Sequence, residues 1–175
     1  NLEIIVIDNE KRVIPYGLNK AIRSARGEII IRMDAHAIPA QDYIAKCVEE
    51  LRAGKGDNVG GVIDILPGGN GNIARAIAIA TAHPLGVGDA MYRWATKAGT
   101  SDTVAFGCYY KTTVEKIGYY NETLKANEDY EFNARLRGLG LKIWINPEIR
   151  AVYYSRATLR SLSRQYFLYG FWKVR

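Results

Sequence analysis

Two short constellations of acidic and imidazole side chains in this 175-residue chain could do chemistry. Asp34-x-His36 puts a carboxylate and an imidazole two residues apart at the carboxyl end of an apolar run over 28–33. In extended geometry such a pair leaves one face of a strand, so both groups can reach one divalent ion. Oxygen and nitrogen donors together suit Mn²⁺ or another first-row ion, which can neutralise a diphosphate leaving group. The competing reading makes Asp34 a turn residue and His36 a surface imidazole. Asn127-Glu128-Asp129 is the second constellation. Residues adjacent on a helix point about 100° apart, so Glu128 and Asp129 cannot both aim at one substrate atom. One would be a general base and the other its support, unless the pair only complements the dipole of a helix amino terminus. Gly69-Asn70-Gly71-Asn72-Ile73-Ala74, with Asp89 about 20 residues on, spells a dinucleotide fingerprint and gives an NAD-binding oxidoreductase as a further reading. Its context argues against it, because Pro67 and Gly68 lengthen the turn and no buried second strand precedes Asp89. The chain has no G-x-S-x-G elbow and no Walker A sequence, and its histidines are His36 and His83, which excludes serine-hydrolase and P-loop chemistry.

Regular elements must position these groups. Residues 2–7 read as a short buried strand ending in the Asp8-Asn9 turn. Leu18, Ile22 and Ala25 then trace one face of a helix closed by Gly27. After the strand over 28–33, Pro39 opens a helix with Ile44, Val48 and Leu51 on its apolar face, and residues 59–66 form a third strand. Strand, helix, strand, helix, strand at this spacing implies right-handed crossovers and a mainly parallel sheet. Beyond a loop over 67–71, an alanine-rich helix spans 73–82, and residues 84–103 read as a loop near the site. A strand over 104–110, a helix over 112–117 stopped by Gly118, and a helix capped by Asn127 with Phe132, Leu136 and Leu139 on one face come next. A strand over 142–145 precedes a final helix from Thr158, with Arg156, Arg160 and Arg164 at four-residue spacing.

Composition sets outer bounds. With 48% hydrophobic and 24% charged residues, the chain is one globular unit, 1–157 with a terminal segment, 158–175. No run approaches the roughly 20 apolar residues of a membrane span, and the amino end lacks signal-peptide character. Cys47 and Cys108 stand apart without C-x-x-C spacing, so they read as core thiols of a protein in a reducing compartment. All 18 acidic residues lie at or before Glu148, whereas six of the 24 basic ones lie beyond it, so the net charge of +6 belongs to the tail. That tail also carries seven of the 19 aromatic residues, a mixture that fits an anionic membrane surface better than nucleic acid. A chain that starts at Asn1 inside an apolar run and stops at Arg175 inside a helical pattern reads as a fragment at both ends.

Taken in order, Gly17-Leu18-Asn19-Lys20-Ala21-Ile22, Ala25-Arg26-Gly27-Glu28-Ile29-Ile30, Asp34-Ala35-His36 and Asn127-Glu128-Asp129-Tyr130-Glu131-Phe132 resemble inverting family 2 glycosyltransferases with the GT-A fold. Within that family the chain is most similar to membrane-associated bacterial transferases of exopolysaccharide assembly, of the succinoglycan glucosyltransferase type. The similarity extends over essentially the whole chain, including Asp102-Thr103-Val104-Ala105-Phe106-Gly107 and the stretch from Gln165-Tyr166 to Tyr169-Gly170. The resemblance implies an α/β GT-A fold, a mostly parallel central sheet flanked by helices, lacking the family's first strands and their Asp-rich nucleotide turn. It puts Asp34 and His36 at the D-x-D position, holding Mn²⁺ or Mg²⁺ and the donor diphosphate. Asp129 matches the general base and Glu128 its neighbour; Asn19 and Arg12 lie where the family approaches the nucleotide. Asp102, Gly107, Gln165, Tyr166 and Trp172 fall on the acceptor side. Gln165 is followed by Tyr166-Phe167-Leu168 without an R-W pair, so the family's Q-x-x-R-W element is only loosely echoed and processive synthesis is not implied. The implied activity moves a hexose, with inversion, from a nucleotide-diphosphate sugar to a saccharide or lipid-linked acceptor at the cytoplasmic membrane face, in polysaccharide biosynthesis. The alternative is an inactive fragment or pseudoenzyme that binds carbohydrate or anionic membrane through the tail.

Overall fold

A strand forms only where its backbone finds ladder partners, and that requirement sorts the expected elements. The computed structural model describes residues 2–173; Asn1 and the last two positions of the 158–175 segment, Val174 and Arg175, lie outside them. The elements are α1 (Ile14–Ser24), β1 (Ile29–Ile31), β2 (Ala37–Pro39), α2 (Tyr43–Arg52), β3 (Asn58–Leu66), α3 (Asn72–Ala82), α4 (Pro84–Val87), β4 (Gly99–Thr100), β5 (Cys108–Tyr110), α5 (Lys111–Ile117), α6 (Glu128–Gly138), β6 (Ile143–Tyr154) and α7 (Leu159–Lys173). The sheet runs β1-β5-β3-β6-β2, with β4 also paired to β6.

The α/β class holds, but the sheet is mixed rather than mostly parallel. β3 and β6 run parallel, whereas β1–β5, β5–β3, β6–β2 and β6–β4 are antiparallel. Simple alternation of strand and helix would seat β1 beside β3; instead β5 enters between them, and residues 2–7 join no strand. Leu2, Ile4 and Val6 are exposed, while Ile5 and Ile7 are half-buried. Residues 2–7 thus keep strand-like alternation without a ladder, held at Glu3, whose carboxylate accepts from the Arg26 main chain and guanidinium at 2.9 Å each.

Proline explains two boundaries. Pro39 does not open α2 but sits in the edge strand β2 opposite Ala151, where its missing N–H costs no interior ladder bond. The buried stripe of α2 is accordingly Tyr43, Cys47 and Leu51, and Ile44 is exposed. Pro147 hides the continuation of the strand expected over 142–145: pairing jumps from Gly60–Ile145 to Val62–Arg150, and β6 resumes beyond the bulge as far as Tyr154. Gly61 lies opposite that bulge, where a Cβ would overlap the Ile149 carbonyl. The span 84–103 is not one loop; it holds α4, a 3-10 turn at Met91–Arg93 and β4. Of the strand expected over 104–110 only β5 forms.

Both faces of the sheet are covered. Ile22, Tyr109, Val114, Tyr120, Phe132, Leu136, Ile143 and Ile145 form the core toward α1, α5 and α6. Tyr43, Cys47, Leu51, Val59, Ile63, Cys108 and Ile149 form the other, beside α2. Cys47 and Cys108 are free, buried thiols, as expected of core residues. Each large apolar side chain so buried contributes about 1.5–3 kcal/mol relative to an exposed one. On α6 the apolar face is Phe132 and Leu136, joined by the buried amide of Asn133, while Leu139 is half exposed.

Candidate active site

β1 ends in the run Ile29-Ile30-Ile31-Arg32-Met33, and a cation inside such an apolar run must find counter-charges. Arg32 does: its side chain is 11% exposed, and Nη2 donates to Glu128 Oε1 at 2.7 Å and to Asp34 Oδ1 at 3.3 Å. Burial alone would lower its pKa, but the charges of Asp129, Tyr120, Glu128 and Asp34 outweigh that and hold it above its ordinary value. One guanidinium therefore gathers both constellations singled out in the sequence.

Asp34 and His36 share the turn that joins β1 to β2, closed by a bond from Ala37 N–H to Asp34 O at 3.0 Å. This is a turn and not the extended geometry expected of i and i+2 neighbours. His36 is exposed and meets Tyr153 of β6 edge-on, with ring centroids 5.1 Å apart. Among the described residues no three His, Cys, Asp or Glu side chains cluster as a metal cage. The chain thus offers one carboxylate and one imidazole on one turn, a donor set that fits Mn²⁺ if diphosphate oxygens complete the shell.

At the start of α6 the two neighbouring carboxylates sit in different surroundings. Glu128 is buried, 5% exposed, with its carboxylate committed to Arg32. Asp129 is half-buried and accepts from the Tyr130 N–H through Oδ1 at 2.8 Å. Asn127 is no ordinary cap: its φ is 60°, and its side-chain amide donates to the Tyr169 carbonyl at 2.8 Å. That bond lays α7 against the start of α6, where the Lys173 ammonium also sits 4.5 Å from the Tyr130 ring centroid.

Polar and aromatic packing supports this cluster. Tyr120 stacks on Phe132 at 4.5 Å and shares a 2.8 Å hydroxyl contact with Tyr109. Asn58 donates to Asn133 Oδ1 at 2.7 Å, and Asn133 donates to Thr103 Oγ1 at 2.8 Å, tying β3 to α6 and to the loop before β5. Gly107 packs so closely on the Asn58 amide that a Cβ would overlap it. Arg32, Asn58, Gly107, Tyr120, Asp129 and Asn133 help line a cavity of about 10 Å³.

The remaining expected site residues scatter. Asn19 is 2% exposed and spends its amide inside, donating to Tyr120 O and Glu122 Oε1 and accepting from Tyr120 N–H. It holds Tyr120 and offers no free group to a ligand. Arg12 is exposed in the turn before α1, with φ 52°. Asp102 pairs with Arg137 at 2.9 Å, at the opposite end of α6 from Asp129. Gly107 is with the cluster. Gln165 bonds Tyr169 Oη at 2.7 Å, Tyr166 is exposed and lies 6.3 Å from Tyr169, and Trp172 packs edge-on against Phe171.

Sequence reasoning missed Arg32 and Tyr153. Tyr169 is in electrostatic reach of Tyr153, Tyr92 and Asp129, and partial burial pushes its hydroxyl above the usual phenol range. Arg32 alone had a readable signal, a charge within an apolar run. A wider apolar groove of about 610 Å³, lined by residues such as Ile65, Pro67, Ile79 and His83, includes none of the carboxylate cluster. The dinucleotide fingerprint lies in the turn into α3, and the residues before Asp89 are α4 and a bend rather than the second strand NAD binding needs.

Comparisons with known proteins bear on the family and the fold. Residues 1–123 match the family described as glycosyl transferase family 2. The chain is 31% identical over 169 residues to the succinoglycan biosynthesis protein ExoA of Rhizobium meliloti (strain 1021), covering 95% of this chain and 51% of that protein. It is also 31% identical over 175 residues to the dolichyl N-acetyl-alpha-D-glucosaminyl phosphate 3-beta-D-2,3-diacetamido-2,3-dideoxy-beta-D-glucuronosyltransferase of Methanococcus voltae, covering 95% and 53%. The chain spans about half the length of these curated relatives. Among solved structures, the mannosyltransferase PcManGT of Pyrobaculum calidifontis, in complex with GDP-Man and Mn²⁺, superposes with a TM-score of 0.62 at 20% identity, over 91% of this chain and 41% of that one. GalNAc-T7 with UDP, GalNAc and Mn²⁺ gives the same TM-score at 16% identity, over 85% and 32%. These likenesses establish the GT-A fold, and with the family match they overturn the NAD-binding reading: the chain belongs to glycosyl transferase family 2.

Proposed function

We propose that the protein transfers a hexose, with inversion, from a nucleotide-diphosphate sugar to a saccharide or lipid-linked acceptor in polysaccharide assembly. The observation that carries this reading is the convergence of the Asp34–His36 turn and the Glu128–Asp129 helix start on Arg32. Asp34 and His36 would hold Mn²⁺ or Mg²⁺ together with the donor diphosphate, and a divalent ion there supplies charge neutralisation for the departing nucleotide. Asp129 takes the proton from the acceptor hydroxyl, since its neighbour Glu128 is engaged by Arg32. Glu128 supports the base by fixing the first turn of α6. Tyr153, whose ring meets His36 edge-on, offers an aromatic surface for a sugar beside that turn. Asn19 serves the donor site indirectly, by holding Tyr120. The test is a panel of UDP- and GDP-sugars with Mn²⁺ on the intact protein: nucleoside diphosphate should be released faster when a saccharide or lipid-linked acceptor is present.

The reading includes attachment to an anionic membrane face on the cytoplasmic side. None of the helices among the described residues is long and apolar enough to cross a membrane. α7 instead exposes Leu159, Tyr166, Phe167, Leu168, Tyr169 and Phe171 beside Arg160 and Arg164. Arg156 precedes the helix and bonds Gln165, so the basic stripe on α7 itself is Arg160 and Arg164. Each basic residue near an anionic surface adds about 1 kcal/mol, falling off within a Debye length. Vesicle co-sedimentation should therefore require anionic lipid, weaken with salt, and drop about 10-fold or more in the Arg160→Gln, Arg164→Gln double variant. Binding unchanged by that variant would remove α7 from the membrane account.

A further inference from the structure

We propose, resting on the transferase reading above, that Arg32 is a positioning residue: its guanidinium clamps the Asp34 turn to the start of α6, so that the donor-holding and proton-accepting groups meet one sugar carbon at a set separation. Its main chain is pinned, with the Arg32 N–H donating to the Gly107 carbonyl at 3.0 Å beside β5. Its side chain is nearly enclosed, and one nitrogen, Nη2, serves two carboxylates that lie 2 and 96 residues away in sequence. The 2.7 Å bond to Glu128 falls in the charge-assisted range. Asp34, Glu128 and Asp129 bring three carboxylates into one neighbourhood, and like charges so placed repel unless a cation stands among them.

The guanidinium suits this work in a way an ammonium does not. Its planar fork fixes the directions of its donors, whereas a lysine carries a compact, rotating charge on a flexible stem. The second terminal nitrogen, Nη1, is buried without a protein partner, as is Asn58 Oδ1, and both residues line the 10 Å³ cavity shared with Asp129 and Asn133. That volume is about the size of one water. Tyr120 lines the same cavity, its ring centroid 6.0 Å from the guanidinium carbon. Arg32 thus bonds the ligand-holding turn and the base-bearing helix, and shares a cavity wall with the buried polar pair Asn58–Asn133.

The test joins hydrogen–deuterium exchange to kinetics, in the intact protein and in the variants Arg32→Lys, Glu128→Gln and the pair combined. Glu128→Gln changes only α6, yet amide exchange in the 34–37 turn should rise about tenfold, because the turn loses its anchor through Arg32. Glu131→Gln, which breaks the neighbouring pair with Arg135 on the same helix, should leave that turn unchanged. Arg32→Lys should lower kcat by about 10- to 100-fold, as expected for a misplacement near 1 Å. Donor KM should stay within about threefold, and the double variant should be no slower than the slower single one. Exchange at 34–37 that ignores Glu128→Gln, or a wild-type kcat in Arg32→Lys, overturns the clamp. Coupled exchange in a protein that turns over no donor leaves the clamp standing and defeats the transferase reading instead.

Discussion

Asp129→Asn is expected to lower kcat by about 10²- to 10⁴-fold, the usual range for loss of a positioned general base. The amide matches the carboxylate in shape and keeps an oxygen for the Tyr130 N–H, so the first turn of α6 should survive. Donor KM should change little, because the residues proposed to hold the nucleotide are Asp34 and His36, on a different turn. The neighbouring Glu128→Gln should lose less, since its carboxylate is buried and bonded to Arg32. Initial-rate kinetics on the two variants, with thermal melts to verify folding, give the comparison. Equal losses in both would erase the distinction between base and support.

His36→Ala is expected to remove Mn²⁺-dependent nucleotide binding. Loss of a supporting outer-shell group typically costs 10- to 100-fold in metal affinity, so loss of an inner ligand should cost at least about that much. The imidazole is exposed on the β1–β2 turn and packs only edge-on against Tyr153, so the substitution leaves the core intact. His36→Asp should restore binding and shift preference from Mn²⁺ toward Mg²⁺, because a carboxylate oxygen is the harder donor. Calorimetric titration of UDP and GDP in Mn²⁺, Mg²⁺ and EDTA reads both effects. Wild-type affinity in His36→Ala would take the histidine out of the metal site.

Local pattern carried much of the fold. The periodicity of Leu18, Ile22 and Ala25, the glycine after Ile117, and the Phe132–Leu136 face each marked a helix that forms. Failures occurred where a neighbour, not the segment itself, decides the outcome. Residues 2–7 have strand composition but no partner strand, and β1, β2 and β5 are three residues long, too short to show alternation. Pro39 misled because an edge strand tolerates a missing N–H, and only the assembled sheet reveals which strands are edges; the bulge at Pro147 likewise shows only in the assembled sheet. The face of α2 holds Leu51 as expected but takes Tyr43 and Cys47 in place of Ile44 and Val48, since only packing against β3 and β5 chooses between adjacent residues.

The site was legible in its residue types and only partly in its arrangement. Asp34, His36, Glu128 and Asp129 were visible as chemistry-bearing types, but which of the two α6 carboxylates was free depended on an arginine 96 residues away. Asn19 sat within a matching motif, yet its amide is consumed by Tyr120. Tyr153 comes from β6 and meets His36 of the β1–β2 turn only through the assembled sheet. Long-range contacts of that kind leave no periodic trace in the sequence.

The anomeric configuration of the product tests the central claim most directly. With an α-linked nucleotide sugar as donor, the intact protein and Mn²⁺, proton NMR of the purified product should show a β-glycosidic linkage, and Asp129→Asn should yield none at comparable protein and time. An α-linkage, or full product from Asp129→Asn, would contradict a single displacement assisted by that carboxylate.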